Sequence, residues 1–357
     1  MKTYIKFLIT TFLKSFLNIF LIMITLVFIL NILKEIEFFN NVNVSPFYPI
    51  FLSILSSPSV VFEMFPFIIL ISTQFFFIKL FENNEIQIFK YSGLKNTSIL
   101  KVLSFLVIIM GLLIITLFYN FSSSLQSYYL QLKNQYTKNN EYLAVINKNG
   151  LWIKDIVNEE ISIINSSKID NNFLTNSFIT KFDKDYNLLL SIKSDKIDIK
   201  NKDWLIHDAQ IFENNNSKKL ELYEFKSNFD LERIKNLFSN LSSLSLPELM
   251  NLKKNYETLN YSTTEVEIQI QKILSYPLYL MVMMILSAVI MFNTKKFKRT
   301  TFKVAIGLFF SVVIYYINNF FNVLGTSEKL QVLPSVWIPI VSLLLFNMII
   351  LYRFNEK

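Results

Sequence analysis

Two groups of three long apolar segments, set either side of about 150 more polar residues, constrain this chain more than any other feature. The first group runs roughly over 7–33, 60–81 and 102–121, and the second over 273–292, 304–324 and 333–351. Each is close to or above the roughly 20 residues that carry a helix across about 30 Å of hydrocarbon. With 52% hydrophobic residues, a soluble fold of 357 residues could not hide so much apolar surface. Helices in lipid satisfy their own backbone groups, so the bilayer is the economical solvent. The layout predicts an α-helical membrane protein with six transmembrane helices (3 + 3) and one inserted domain. The first segment exceeds the length of a cleaved signal peptide and no small-residue cleavage site follows it, so it reads as retained.

Charge placement orients the spans, because short cytoplasmic loops favour Lys and Arg. Lys2, Lys6 and Lys14, then Lys90, Lys95 and Lys101, then Lys295, Lys296, Lys298, Arg299 and Lys303, and finally Arg353 and Lys357 fall on one side. The opposite short loops hold only Lys34 and Lys329. Both termini are expected in the cytoplasm, which puts the insert on the far side, the periplasm of a Gram-negative cell.

The insert is patterned for strands. Short alternations occur at 142–146, 161–164, 188–192 and 196–199, separated by turn chemistry at 147–150, 183–187, 200–203 and 214–217. An antiparallel sandwich, jelly roll or open barrel is expected, followed by helical stretches around Pro247–Leu249 and from Thr263 into span four. The expected division is therefore spans one to three over 1–121, an all-β domain with helical connectors over 122–271, and spans four to six over 272–357. Open strand edges in such a domain invite strand addition by another chain.

Chemistry is sparse. The chain has no Cys and one His, His207, so a Cys-based metal site and a thiolate nucleophile are excluded and no metal site is expected. No phosphate-cradling Gly-x-x-x-x-Gly-Lys-Ser/Thr motif occurs, so any ATP would be bound by another subunit. Polar residues inside the spans, Asn18, Gln74, Asn318 and Asn319, fit hydrogen bonding between helices. Lys14 and Lys79 fit snorkelling to the cytoplasmic surface. Pro66 and Pro277 read either as kinks or as first-turn prolines. Between spans two and three, residues near 82–94 predict a short amphipathic helix with Ile86, Phe89 and Lys90 at i, i+3 and i+4, ended by Gly93. Such a helix suits the membrane interface or a partner's groove.

Here a resemblance becomes specific. Asn84-Glu85-Ile86-x-x-Phe89-x-x-Ser92-Gly93 is similar to the coupling-helix motif of the lipopolysaccharide export permeases, the LptF/LptG family. Further signatures follow in order: Phe65-Pro66, Gly150-Leu151-Trp152-x-Lys154-Asp155, Asp203-Trp204-x-Ile206-x-Asp208 and Leu244-Ser245 with Glu248-Leu249. Lys272-x-x-x-Tyr276-Pro277-Leu278 and Leu333-Pro334-x-x-Trp337-x-Pro339 complete a match spanning the whole chain. The Gly-Leu-Trp and Lys-x-x-x-x-Pro signatures resemble the LptG branch more than LptF.

The resemblance implies a bacterial inner-membrane permease with a periplasmic jellyroll-like domain and no enzymatic activity or cofactor of its own. It implies an LptF-like partner permease, two copies of an LptB-like ATPase and an LptC-like jellyroll protein, with lipopolysaccharide as cargo and no nucleic acid. Glu85, Ile86, Phe89 and Gly93 would form the ATPase-coupling site. Lys34 would meet the acidic groups of lipopolysaccharide, and Phe28, Phe309 and Phe320 would line an acyl-chain cavity between spans one and five. Glu35 and Glu37 place negative charge beside Lys34, and Asn40 and Asn41 stand where some LptG proteins carry lysines. A membrane scaffold that transports nothing, or a permease for another amphipathic lipid, are the competing readings.

Overall fold

A computed structural model describes residues 3–40, 44–134, 136, 151–157, 160–170, 172–213, 216–231, 234, 240–258, 262–294 and 299–355. The expected strand at 142–146, the turn at 147–150, the pair Asn214 and Asn215, and Asn41, Lys2, Lys295, Lys296, Lys298 and Lys357 lie outside these residues. The chain divides into two compact units, 1–126 with 264–357, and 127–263.

The first unit holds six helices long and apolar enough to cross a membrane. They are α1 (Thr3–Phe38), α2 (Phe47–Glu82), the span beginning with α4 (Asn96–Leu113), then α7 (Thr264–Asn293), α8 (Thr300–Thr326) and α9 (Val332–Asn355). The short helix α3 (Glu85–Tyr91) sits between α2 and α4. After α4 the third span continues as a π-helical stretch, Ile114–Tyr119, and then as α5 (Asn120–Asn134). Several helices overrun the apolar runs read from sequence, because polar and aromatic residues extend them past the hydrocarbon.

Helix α7 is the centre of the bundle, packed against α2, α4, α8 and α9, while α1 and α8 are the least covered spans. Leu70, Met283, Leu286, Ile290 and Ile314 form a core cluster across α2, α7 and α8. Lipid tails are as apolar as these side chains, so close packing and hydrogen bonds hold the helices. Ser287 Oγ donates to the Leu70 carbonyl at 2.8 Å, Gln74 Nε2 to the Lys303 carbonyl at 2.9 Å, and Asn347 Nδ2 to the Val282 carbonyl at 3.2 Å. Asn31 Nδ2 donates to Ser57 Oγ at 3.1 Å, tying α1 to α2. Of the polar span residues, Gln74 and Asn318 bond between helices, Asn318 with Tyr279, whereas Asn18 and Asn319 lie exposed on the chain surface.

Pro66 and Pro277 both lie inside their helices rather than in a first turn. Pro277 is met by Gly111 of α4 so closely that a Cβ at Gly111 would stand 2.7 Å from the Pro277 Cα. Backbone cannot swing aside as a side chain can. Gly111→Ala is therefore expected to cost about 1–3 kcal/mol by overpacking, read as a lower Tm of the detergent-solubilised protein. Gly307→Ala should cost less, because its Cβ meets the movable amide of Gln74.

The second unit carries six antiparallel strands, β1 (Leu151–Val157), β2 (Glu160–Asp170), β3 (Phe173–Phe182), β4 (Leu188–Asp198), β5 (Asp203–Glu213) and β6 (Asn216–Lys226). Among the described residues they form one sheet in which each strand pairs with the next. The alternations at 188–192 and 196–199 merge into the single long strand β4. Ile153, Ile164, Ile179 and Ile192 stand opposite one another in register and bury one face, as period-2 alternation requires. Trp204 is fully buried and donates from Nε1 to the Phe229 carbonyl at 2.7 Å. Asp155 is also fully buried and accepts from Ser227 Oγ, Asn228 N and Asn228 Nδ2 at 2.7, 3.0 and 2.9 Å. It thereby pins the segment after β6 to the edge strand β1. Helix α6 (Leu246–Thr258) opens with Glu248 reaching back over Ser245, whose N and Oγ both donate to Glu248 Oε2 at 2.7 Å, the carboxylate half of a capping box.

Candidate functional site

The loop between spans two and three is built by backbone punctuation. Asn84 adopts a left-handed conformation, φ 55°, which Asn tolerates better than most residues, and so turns the chain sharply out of α2 into α3. At the other end Gly93 has φ 77°, with Gly93 N–H donating to the Lys90 carbonyl and Leu94 N–H to the Phe89 carbonyl. That pair of bonds is a Schellman motif with Gly93 at its left-handed position. Gly93 therefore stops α3 rather than offering a side chain for contact.

Helix α3 is amphipathic, and its two apolar faces have different neighbours. Ile86 is buried, and the half-buried Phe89 ring meets Phe7 of α1 edge-on at 6.1 Å between centroids. These two side chains seat α3 on the membrane unit. Ile88 and Tyr91, one turn apart, are turned outward at 59% and 89% exposure. Glu85 accepts from Asn83 Nδ2 at 3.2 Å through Oε1, and its Oε2 is covered without a hydrogen-bond partner among the described residues. An outward apolar pair thus stands beside an acid with one oxygen left without a hydrogen bond. The sequence reading missed Ile88 and Tyr91. Their i, i+3 spacing just before Gly93 was the available signal, but Ile86 and Phe89 carry the same spacing, and periodicity alone does not say which face is covered.

At the opposite end of α1, Lys34 is exposed. Glu35 is buried, at 1% exposure, so its carboxylate turns into the chain, while exposed Glu37 stays one turn from Lys34. Phe309 and Phe320 are exposed on α8, and Phe28 is half-buried on α1. Helix α1 packs chiefly on α2 and α4, whereas α8 packs chiefly on α2, α7 and α9.

Sequence reading also passed over Glu63, an acid within the second span and exposed on the chain surface. An ionisable group inside an apolar run is costly, and that cost was the signal available. It lies within electrostatic reach of Lys272 of α7.

Six helices long and apolar enough to cross a membrane, an antiparallel β-domain inserted between the third and fourth, and a short helix between spans two and three make a multi-pass membrane protein. The model of the lipopolysaccharide export system permease LptF/LptG family matches residues 6–353, and the chain belongs to that family. Among curated proteins, none matches the sequence.

Proposed function

We propose that this chain is the LptG-type permease of an ATP-driven lipopolysaccharide exporter, working with a second, LptF-like permease. Nucleotide would be hydrolysed by two copies of a separate LptB-like ATPase. Lipopolysaccharide would leave the outer leaflet of the inner membrane and pass to a periplasmic jellyroll bridge through an LptC-like protein. The observation that carries the reading is α3, a helix set off by the left-handed Asn84 and ended by a Gly93 cap, seated on the spans by Ile86 and Phe89 and presenting Ile88 and Tyr91 outward. Because Asn83 and Asn84 join α3 directly to α2, a push on this face reaches a membrane span without an intervening flexible linker. In this reading α3 is cytoplasmic, both termini lie on its side, and the β-domain is periplasmic.

Two uncovered spans agree with a paired arrangement. Phe28 of α1 and Phe309 and Phe320 of α8 would line acyl-chain cavities only where a second six-span chain closes them. Lys34, exposed beyond the apolar stretch of α1, would hold phosphate or acidic sugar by charge-assisted hydrogen bonds. Lys34→Glu is accordingly expected to lower photocrosslinking to lipopolysaccharide several-fold while assembly with the partner subunits is retained. Equal loss of both would make Lys34 a structural residue.

The test of the function is reconstitution. Proteoliposomes holding the assembled complex and lipopolysaccharide should release the lipid to a soluble jellyroll acceptor only when ATP is hydrolysed. Release without ATP, or none with active hydrolysis, would contradict an ATP-driven exporter.

A further inference from the structure

Phe62 of α2 meets Tyr276 of α7 in a hydrogen-bonded and stacked contact that the sequence does not announce, and Glu63 and Lys272, the latter one turn from Tyr276, lie within electrostatic reach of each other. The first point follows from proline chemistry. Pro66 has no N–H, so it cannot donate to the carbonyl four residues earlier, that of Phe62. Tyr276 supplies the missing donor: its hydroxyl hydrogen bonds to the Phe62 carbonyl, and its ring stacks on the Phe62 ring with centroids 4.7 Å apart. A neighbouring helix that satisfies a freed carbonyl is what makes a proline tolerable inside a membrane span. The second point is electrostatic, Glu63 attracting Lys272.

The contact falls where the bundle is least regular. Pro66 breaks the α2 ladder, Pro277 breaks that of α7, and the third span is π-helical over Ile114–Tyr119. Tyr119, at the end of that stretch, packs on Phe62 at 4.9 Å, and Phe118 on Phe65 at 5.1 Å. Gly111 allows α4 to press on Pro277. Proline gaps and π-bulges are sites where helices bend. Counting back along α2 from Glu82, Glu63 lies ~28 Å from the α3 end, about one hydrocarbon thickness away. Lys272 lies ~32 Å from the corresponding end of α7.

We infer that Glu63, Tyr276 and Lys272 form a clasp that carries movement of α2, driven at α3, into the far end of α7 across this flexible level. They are positioning residues for export and touch neither nucleotide nor cargo. The inference rests on the exporter reading given above. Without the clasp the proline gaps would let the far half of α2 bend independently of α7, so a push at α3 would be lost before reaching the opposite membrane surface.

Two measurements separate the clasp from the exporter reading. The chain has no native cysteine, so Ile54→Cys and Glu265→Cys, both exposed and beyond the clasp on α2 and α7, can be spin-labelled in the full-length protein. The distance between them is expected to be narrowly distributed in the parent and broadened by Tyr276→Phe and by Glu63→Gln. Unchanged distributions in both would overturn the clasp, whether or not the chain exports lipid. In the reconstituted complex, Tyr276→Phe and Lys272→Glu should lower lipid released per ATP about fivefold or more while hydrolysis continues. Glu63→Lys combined with Lys272→Glu should recover most of that loss. Broadened distances with undiminished export would leave the contact merely structural and overturn its role in coupling. A parent complex that hydrolyses ATP without releasing lipid would instead defeat the exporter reading, with the spin-label result still deciding the clasp.

Discussion

Changing Ile88 and Tyr91 together to Asp is expected to release the ATPase from the permease while the six spans remain inserted and folded. Both side chains are exposed in the chain alone, so the permease loses no packing when they become polar. The loss falls on the complex. Burying a large apolar side chain contributes about 1.5–3 kcal/mol, and two such losses correspond to an association at least about 100-fold weaker. Glu85→Lys is expected to act in the same direction by reversing the charge at the start of α3. Ile86→Asp should behave differently, because it places a carboxylate in a buried site and so lowers the yield of folded permease before any partner is added. Gln87→Ala, on the same helix and exposed, is the neutral control. Titration of purified ATPase onto detergent-solubilised permease, followed by light scattering, reads all four. Unchanged affinity in the double variant would remove α3 from the interface.

Asp155→Ala is expected to unfasten the β-domain. The carboxylate is fully buried and accepts three hydrogen bonds from Ser227 and Asn228, and those donors would be left without their acceptor. Hydrogen bonds to a charged group contribute about 1.5–3 kcal/mol each, and stranding their partners adds to the loss, so a cost of about 3 kcal/mol or more is expected. Ser227 Oγ also accepts from Phe229 N at 3.1 Å, and Phe229 O receives Trp204 Nε1. The damage should therefore spread from β1 to the buried Trp204. Limited proteolysis of the full-length protein should cut near 227–231 in Asp155→Ala and spare that stretch in the parent. Asp155→Asn, which keeps one acceptor, should fall between the two. A protease-resistant Ala variant would show that the network is dispensable.

Much of the architecture was legible because its signals are long. A run of twenty apolar residues has few alternatives to a membrane helix, and Asn, Asp and Gly clusters mark turns by their own chemistry. Gly93 was readable for the same reason: a left-handed stop needs little beyond the local sequence. What escaped depends on the third dimension. The residues of α3 announce an amphipathic helix, yet only the Phe7 ring against Phe89 reveals that Ile86 and Phe89 look inward and Ile88 and Tyr91 outward. Glu63 disappears in any average over the apolar run that surrounds it. Phe65-Pro66 and Tyr276-Pro277 can each be seen in the sequence, but nothing local shows that one supplies the hydrogen-bond donor the other lacks. Strands β3 and β6 were not among the alternations read from sequence, and in β6 most side chains are polar and exposed, so the alternation that betrays β2 and β4 is weak there.

Native mass spectrometry of the chain gently extracted from its own membrane bears most directly on whether it is the permease of an ATP-driven lipopolysaccharide exporter. One assembly containing this chain, a second six-span permease, two copies of an ATP-binding subunit and bound lipopolysaccharide is the expected result. A stable assembly with no ATP-binding subunit and no lipopolysaccharide would contradict it and favour a scaffold whose β-domain holds a periplasmic partner.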